Sequence, residues 1–250
     1  MSPTKDLSDK TTIVVGASRG LGRGIATALA EAGAPVVAVA RNASVVAELA
    51  GSAAGTIHPE PADAADPTVA GGLLDRYEPQ AVVLVAGASP LIRPLQHQTW
   101  ETFSVNWQTD VRIAFHWVRE ALLKPLRPGS RVVVISSGAA LNGSPLSGGY
   151  AGAKATQRFI TTYAQQEAER GDLDLVFTAV FPRITPLTDL GRPAVRAYAA
   201  RNGQSEQEYL AQFGEPLTPK GAGAALVELV AAASVAPGYL LTGDGLQRLP

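Results

Sequence analysis

Short, wholly apolar runs alternate with longer stretches of helical period along the chain. Ile13-Val14-Val15, Val82-Val83-Leu84-Val85 and Val132-Val133-Val134-Ile135 carry no polar position, the pattern of strands covered on both faces of a parallel sheet. Such runs predict strands near 12–15, 35–40, 56–58, 81–85, 131–136, 173–181 and 238–241. Between them, apolar recurrence predicts helices near 20–32, 45–50, 67–77, 99–123 and 150–170, with Asp66-Pro67 supplying an N-cap and a first-turn proline to the third. Strand-helix alternation of this kind implies right-handed crossovers. The expected architecture is therefore a doubly wound three-layer α/β sandwich on a mostly or wholly parallel seven-stranded sheet.

One stretch breaks the alternation. Residues 186–220 are richer in polar side chains, with a capping box at Ser205-Glu206-Gln207-Glu208 and another helix start at Thr218-Pro219. An insertion of this length is either a functional lid or a disordered segment. No linker or compositional shift marks a boundary, so residues 1–250 read as a single domain carrying this insertion.

Composition removes whole classes of chemistry. With 46% hydrophobic and 17% charged residues and a net charge of -1, the chain reads neither as disordered nor as a basic nucleic-acid binder. Cysteine is absent, which excludes disulfides, thiolate metal sites and cysteine nucleophiles. His58, His97 and His116 show no ligand spacing, so no metal is expected. Residues 1–10 are polar and of mixed charge, unlike a signal peptide, and no apolar run approaches the ~18 residues of a membrane span. A cytoplasmic protein with no membrane partner is expected.

Directly after the first strand comes Gly16-Ala17-Ser18-Arg19-Gly20-Leu21-Gly22, opening the first helix. A dinucleotide pyrophosphate needs a tight turn, close approach of backbone N–H groups and the positive end of a helix. A plain strand-to-helix turn would explain one glycine. The GxxxGxG spacing behind the first strand points instead to a Rossmann-like cofactor cradle formed by Gly16, Ser18, Arg19, Gly20, Leu21 and Gly22. The second strand ends Val39-Ala40-Arg41-Asn42, without the carboxylate that holds an NAD ribose. Arg41, with Asn42 beside it and Arg19 in the loop, suits the 2'-phosphate of NADP(H).

Tyr150 and Lys154 are spaced i,i+4 at a helix start, so both lie on one face. A tyrosine proton carrier needs a nearby ammonium to work near neutral pH, and Lys154 can supply it. YxxxK alone is also an ordinary helix surface. Ser137, at the carboxyl end of a strand where ligands of such sheets bind, shifts the weighing toward chemistry.

With these motifs in place, the sequence resembles the short-chain dehydrogenase/reductase family from about Ser8 onward. The likeness rests on Val15-Gly-Ala-Ser-Arg-Gly-Leu-Gly22, on Ser137 with Tyr150-Ala-Gly-Ala-Lys154, and on Val105-Asn106. The resemblance implies an NADPH-dependent oxidoreductase interconverting a carbonyl and an alcohol. Tyr150 is then the general acid/base and Ser137 orients the substrate oxygen. Lys154 binds the nicotinamide ribose and lowers the tyrosine pKa, and Asn106 supports a water-linked proton relay to Lys154. It also implies cofactor contacts at Ala86, Gly87 and Ala88, and around Pro182, Ile184 and Thr185. Asp63 reads equally as an adenine contact or a turn residue. A homodimer or homotetramer follows by the same likeness, with Trp107, Phe115, Trp117 and Phe159 offering apolar area.

Three departures stand out. Val15 replaces the usual threonine, Leu84-Val85 replace two asparagines, and Arg183 replaces a glycine beside the nicotinamide. They motivate an alternative, a non-enzymatic NADP(H)-binding regulatory protein on the same fold; an epimerase or dehydratase is a third reading. Tyr198, Tyr209, Phe213, Arg192, Arg196 and Arg201 suggest a mixed aromatic and basic wall around a small-molecule substrate, the arginines serving either an anionic substrate or a solvated helix face.

Overall fold

The structure is a computed structural model and describes residues 6–249; residues 1–5 of the polar N-terminal segment, and residue 250, lie outside the described residues. In chain order the elements are β1 (Thr12–Val15), α1 (Gly20–Glu31), β2 (Val36–Ala40), α2 (Ala43–Ser52), β3 (Ile57–Pro61), α3 (Pro67–Tyr77) and β4 (Ala81–Leu84). There follow α4 (Trp100–Asn106), a π-helical turn at Trp107–Val111, α5 (Arg112–Leu123), β5 (Ser130–Ile135), α6 (Ala139–Asn142) and α7 (Gly148–Arg170). The chain continues through β6 (Leu175–Pro182), α8 (Gly191–Arg201), α9 (Glu206–Ala211), α10 (Pro219–Ala231), β7 (Gly238–Thr242) and β8 (Gly245–Arg248).

The strands form one eight-stranded sheet in the order β3-β2-β1-β4-β5-β6-β7-β8. Every pairing is parallel except β7 with β8. Successive residues of the central strands feed opposite layers, as the two-residue period demands. Val14, Val83 and Val133 pack with α1, α2 and α10. Ile13, Val15, Val82 and Val132 pack with α3, α5 and α7. Both faces are covered, which is why these strands read as unbroken apolar runs.

The sheet has eight strands, not the seven expected. β8 is a short, exposed edge strand returning through a tight turn at Gly243-Asp244, and its Gln247 and Arg248 give it no apolar signature. β3 extends to Pro61 although Pro59 and Pro61 lack N–H donors, which an edge strand tolerates on its open side. The expected helix over 99–123 is divided by the π-helical turn, within which the Asp110 carbonyl accepts from Gln157 Nε2 at 2.9 Å. Asp66, Ser205 and Thr218 cap α3, α9 and α10 as their spacing foretold. Among the described residues no helix is long and apolar enough to cross a membrane.

Candidate active site

The carboxyl ends of β1, β2, β4, β5 and β6 open into a cavity of about 750 Å³. Ser18, Arg19, Leu21, Arg41 and Asp63 line it together with Ser137, Tyr150 and Lys154. The glycine loop is shaped for close approach: Gly16 has φ +93°, and a Cβ there would stand 2.6 Å from Ala86 N. A Cβ on Gly22 would lie 2.1 Å from Gly16 O, so the loop folds tightly onto the helix it opens. Helices α2, α3 and α10 have side-chain N-caps, whereas α1 has Arg19 at its N-cap position with no side-chain cap bond and no acid in its first turn. Its leading N–H groups therefore suit an anion. A dinucleotide pyrophosphate fits this cradle.

Arg41 is exposed and makes no ion pair with a described residue, while Arg19 stands 3.6 Å from Asp189, both solvated. Gly20, Gly22 and Asn42 shape this end without lining the cavity; the Asn42 side chain accepts from Ser44 N and Val45 N as the cap of α2. Asp63 lines the cavity and also makes a turn, accepting from Ala65 N at 3.1 Å.

Ser137 lies just beyond β5, where Gly138 N donates to Pro182 O at 2.9 Å and ties the strand exits together. The Ser137 Oγ accepts from Ala139 N at 3.2 Å, and its own proton finds no acceptor among the described residues. Tyr150 stands in the first turn of α7, its hydroxyl bonded to no described residue. One turn further, Lys154 Nζ lies 5.6 Å from the Tyr150 ring centroid. Lys154 is buried and donates to Ile135 O at 3.2 Å and Gln157 Oε1 at 3.1 Å. Two uncommitted hydroxyl protons in one cavity, with the ammonium fixed beside the tyrosine, form a set of donors suited to a substrate oxygen.

Asn106 does not line the cavity. Its amide donates to Ala88 O at 2.7 Å and to Asp110 Oδ1 at 3.3 Å, and the residue that reaches Lys154 is Asp110, with Oδ2 3.2 Å from Nζ. Sequence reasoning missed Asp110 and Gln157. Their i,i+4 and i,i+3 offsets from Asn106 and Lys154 were the available signal, but only the packing of the π-helical turn on α7 brings them together.

Ala86, Gly87, Ala88, Pro182, Ile184 and Thr185 all line the cavity. The Thr185 hydroxyl is already spent inside the protein, donating to Leu217 O at 2.6 Å. Arg183 lines the cavity too, its guanidinium reaching Phe213 O at 3.4 Å. The apolar departures are compensated by main chain and packing: Val85 N and Ala86 N both donate to Val15 O at 2.9 Å, and Val15 and Leu84 are buried together.

The 186–220 segment folds largely into α8, α9 and the start of α10. Leu190, Tyr198, Tyr209 and Phe213 line the cavity, but Arg192, Arg196 and Arg201 do not. The basic half of the expected wall is thus corrected: these arginines occupy the exposed face of α8, where Arg196 pairs with Glu206 at 3.4 Å. Tyr198 and Tyr209 stack with centroids 6.1 Å apart, and burial, with Tyr198 adding to it, pushes the Tyr209 phenol up. The Tyr198 hydroxyl bonds Ser144 Oγ, joining α8 to the loop before α7.

A family model described as short chain dehydrogenase matches residues 10–198. Short chain dehydrogenase/reductase dpmpG of Macrophomina phaseolina (strain MS6) is 34% identical over 151 residues, covering 55% of this chain and 86% of that protein. Versicolorin reductase 1 of Aspergillus parasiticus is 29% identical over 236 residues, covering 88% and 86%. The solved structure of a short-chain type dehydrogenase/reductase from Mycobacterium ulcerans superposes with a TM-score of 0.78 at 25% identity, covering 96% of this chain and 92% of that one. With the glycine cradle, the Ser137-Tyr150-Lys154 array and a family match across most of the chain, the protein belongs to the short-chain dehydrogenase/reductase family of nicotinamide-cofactor oxidoreductases.

Proposed function

We propose that the protein is an NADP(H)-dependent oxidoreductase that reduces a ketone or aldehyde on an apolar, ring-bearing compound to the alcohol. The observation that carries this reading is the pair of uncommitted hydroxyls, Ser137 and Tyr150, beside buried Lys154 in the same cavity as the glycine cradle. Tyr150 gives its proton to the carbonyl oxygen, Ser137 donates to the same oxygen and fixes the substrate, and Lys154 places positive charge beside the phenol as the proton leaves. Lys154 also holds the ribose hydroxyls. Bound NADPH supplies the hydride.

Gly16, Ser18, Arg19, Gly20, Leu21 and Gly22 cradle the pyrophosphate, Arg41 with Arg19 meets the 2'-phosphate, and Asn42 holds the strand exit beside them. Asp63 would contact the adenine. Ala86, Gly87 and Ala88, with Pro182, Ile184 and Thr185, would hold the nicotinamide half of the cofactor, and Asn106 contributes through Asp110. The reductive direction is favoured by the relative's name, a reductase. The apolar substrate class is favoured by Leu141, Leu190, Tyr198, Tyr209 and Phe213 in the lining. The chain works as one cytoplasmic domain with the 186–220 segment as its substrate wall, assembled as a homo-oligomer.

The test is an NADPH-oxidation screen against aromatic ketones, quinones, aldehydes and 3-oxoacyl thioesters, run beside Tyr150→Phe. The variant is expected to lose about 10²–10⁴-fold in turnover while binding NADPH as the parent does. A turnover near that of the parent protein would refute the role of Tyr150, and a parent that binds NADPH yet oxidises it with no carbonyl of the screen would leave the regulatory reading.

A further inference from the structure

The Lys154 ammonium is 5% exposed and the Asp110 carboxylate not at all. Each oxygen of that carboxylate has a different task. Oδ1 accepts from Ala88 N at 2.8 Å and from Asn106 Nδ2 at 3.3 Å, which locks the side chain to the end of β4. Oδ2 accepts no formed hydrogen bond and stands 3.2 Å from Lys154 Nζ, so the two are held by charge. Gly87 allows this, because a Cβ there would lie 2.5 Å from Oδ2. Gln157 closes the ring, donating to the Asp110 carbonyl at 2.9 Å and accepting from Lys154 at 3.1 Å.

From this geometry we infer that Asp110 is a positioning residue that acts as the counter-charge of the site, holding the Lys154 ammonium in place in the free protein at the expense of affinity for the anionic cofactor. The inference rests on the reading that Lys154 meets a nicotinamide cofactor in this cavity. An ammonium cut off from water is strongly disfavoured unless a counter-ion is near, and Asp110 is the carboxylate at that distance among the described residues. The same negative charge lines the cavity in which the pyrophosphate and 2'-phosphate must settle, and it offsets the attraction Lys154 exerts on them. Stability of the free protein and affinity for cofactor are therefore set against each other through one carboxylate.

Asp110→Asn tests this, because the amide keeps the contacts of Oδ1 while removing the charge. In the full-length protein, the unliganded thermal midpoint is expected to fall while NADPH binding, measured by calorimetry, tightens by about tenfold. A merely structural role would weaken both. Unchanged or weaker binding, or an unchanged midpoint, would overturn the inference. Should the single variant fail to fold, Asp110→Asn with Lys154→Met decides it: removing both charges restores a folded protein if Asp110 is the counter-charge, and an equally unfolded double variant overturns it. Parent protein that binds neither NADPH nor NADH would instead sink the cofactor reading on which the inference stands.

Discussion

At the scale of single residues, the two arginines assigned to the adenosine end differ in their prior commitments. Arg19 already has Asp189 within 3.6 Å, although an exposed pair of this kind contributes little, whereas Arg41 has no carboxylate to leave. On the proposed NADP(H) reading, Arg41 therefore carries most of the discrimination for a 2'-phosphate. Arg41→Ala is expected to weaken NADPH by about tenfold or more and NADH hardly at all, measured as dissociation constants at fixed ionic strength. Equal losses for both cofactors would return Arg41 to the solvated surface. Val15 and Leu84 illustrate the other kind of residue effect: where the family carries polar residues, β1 and β4 are joined here by main-chain bonds from Val85 and Ala86 and by apolar contact. This departure leaves the strand ends that border the cofactor cradle in register.

On the proposed reading, the element that governs substrate access is the α8-α9 segment, whose residues line the cavity. It has a small core of its own, in which Val195, Ala199 and Tyr209 are buried, and the Tyr198 hydroxyl ties it to Ser144. Burial, and secondarily Tyr198, raises the Tyr209 phenol above its usual value, and this fixes the sign of a pH effect. The neutral phenol's contribution is complete below the unfolded value near ~10 and is lost as pH rises through the raised folded value. Proteolytic nicking within 186–218 is therefore expected to increase at alkaline pH before the rest of the chain becomes sensitive, and Tyr209→Phe should remove that pH-dependent step. An identical alkaline profile in the variant would detach the effect from Tyr209. The division between α4 and α5 belongs to the same scale. Only a widened turn, received by Gln157 of α7, places Asp110 against Lys154.

For the whole molecule, the outer surface of α5 and α7 exposes several large apolar side chains. Phe115 is 50% exposed and Phe159 and Tyr163 are each 60% exposed, on helices packed side by side. Trp117, counted with them from the sequence, is buried instead and donates to Ala64 O at 3.1 Å, so it takes no part in any such surface. Exposed apolar area of this kind marks an association surface. The parent chain is expected to sediment as a dimer or tetramer, and Phe115→Asp with Phe159→Asp should give a monomer at micromolar concentration. A double variant of unchanged mass would move the interface elsewhere.

The order of β1 to β7 with α1, α2, α3 and α7 between them, the glycine cradle, the Tyr150-Lys154 pair and the caps of α3, α9 and α10 were legible in the chain. Each depends on residues close in sequence, whose spacing is set by helix and strand periods or by a single turn. What was not legible involves partners far apart. Edge strand β8 forms because β7 offers it a free side, not because Gly245–Arg248 is apolar. The inward and outward faces of α8 separate its tyrosine from its arginines only once it packs over the strand ends. Asp110 becomes the neighbour of Lys154 through contacts spanning β4, the π-helical turn and α7. Local sequence determined which groups are available for chemistry. Long-range packing decided which of them stand together, because a buried charge takes its partner from whichever segment the fold brings within reach.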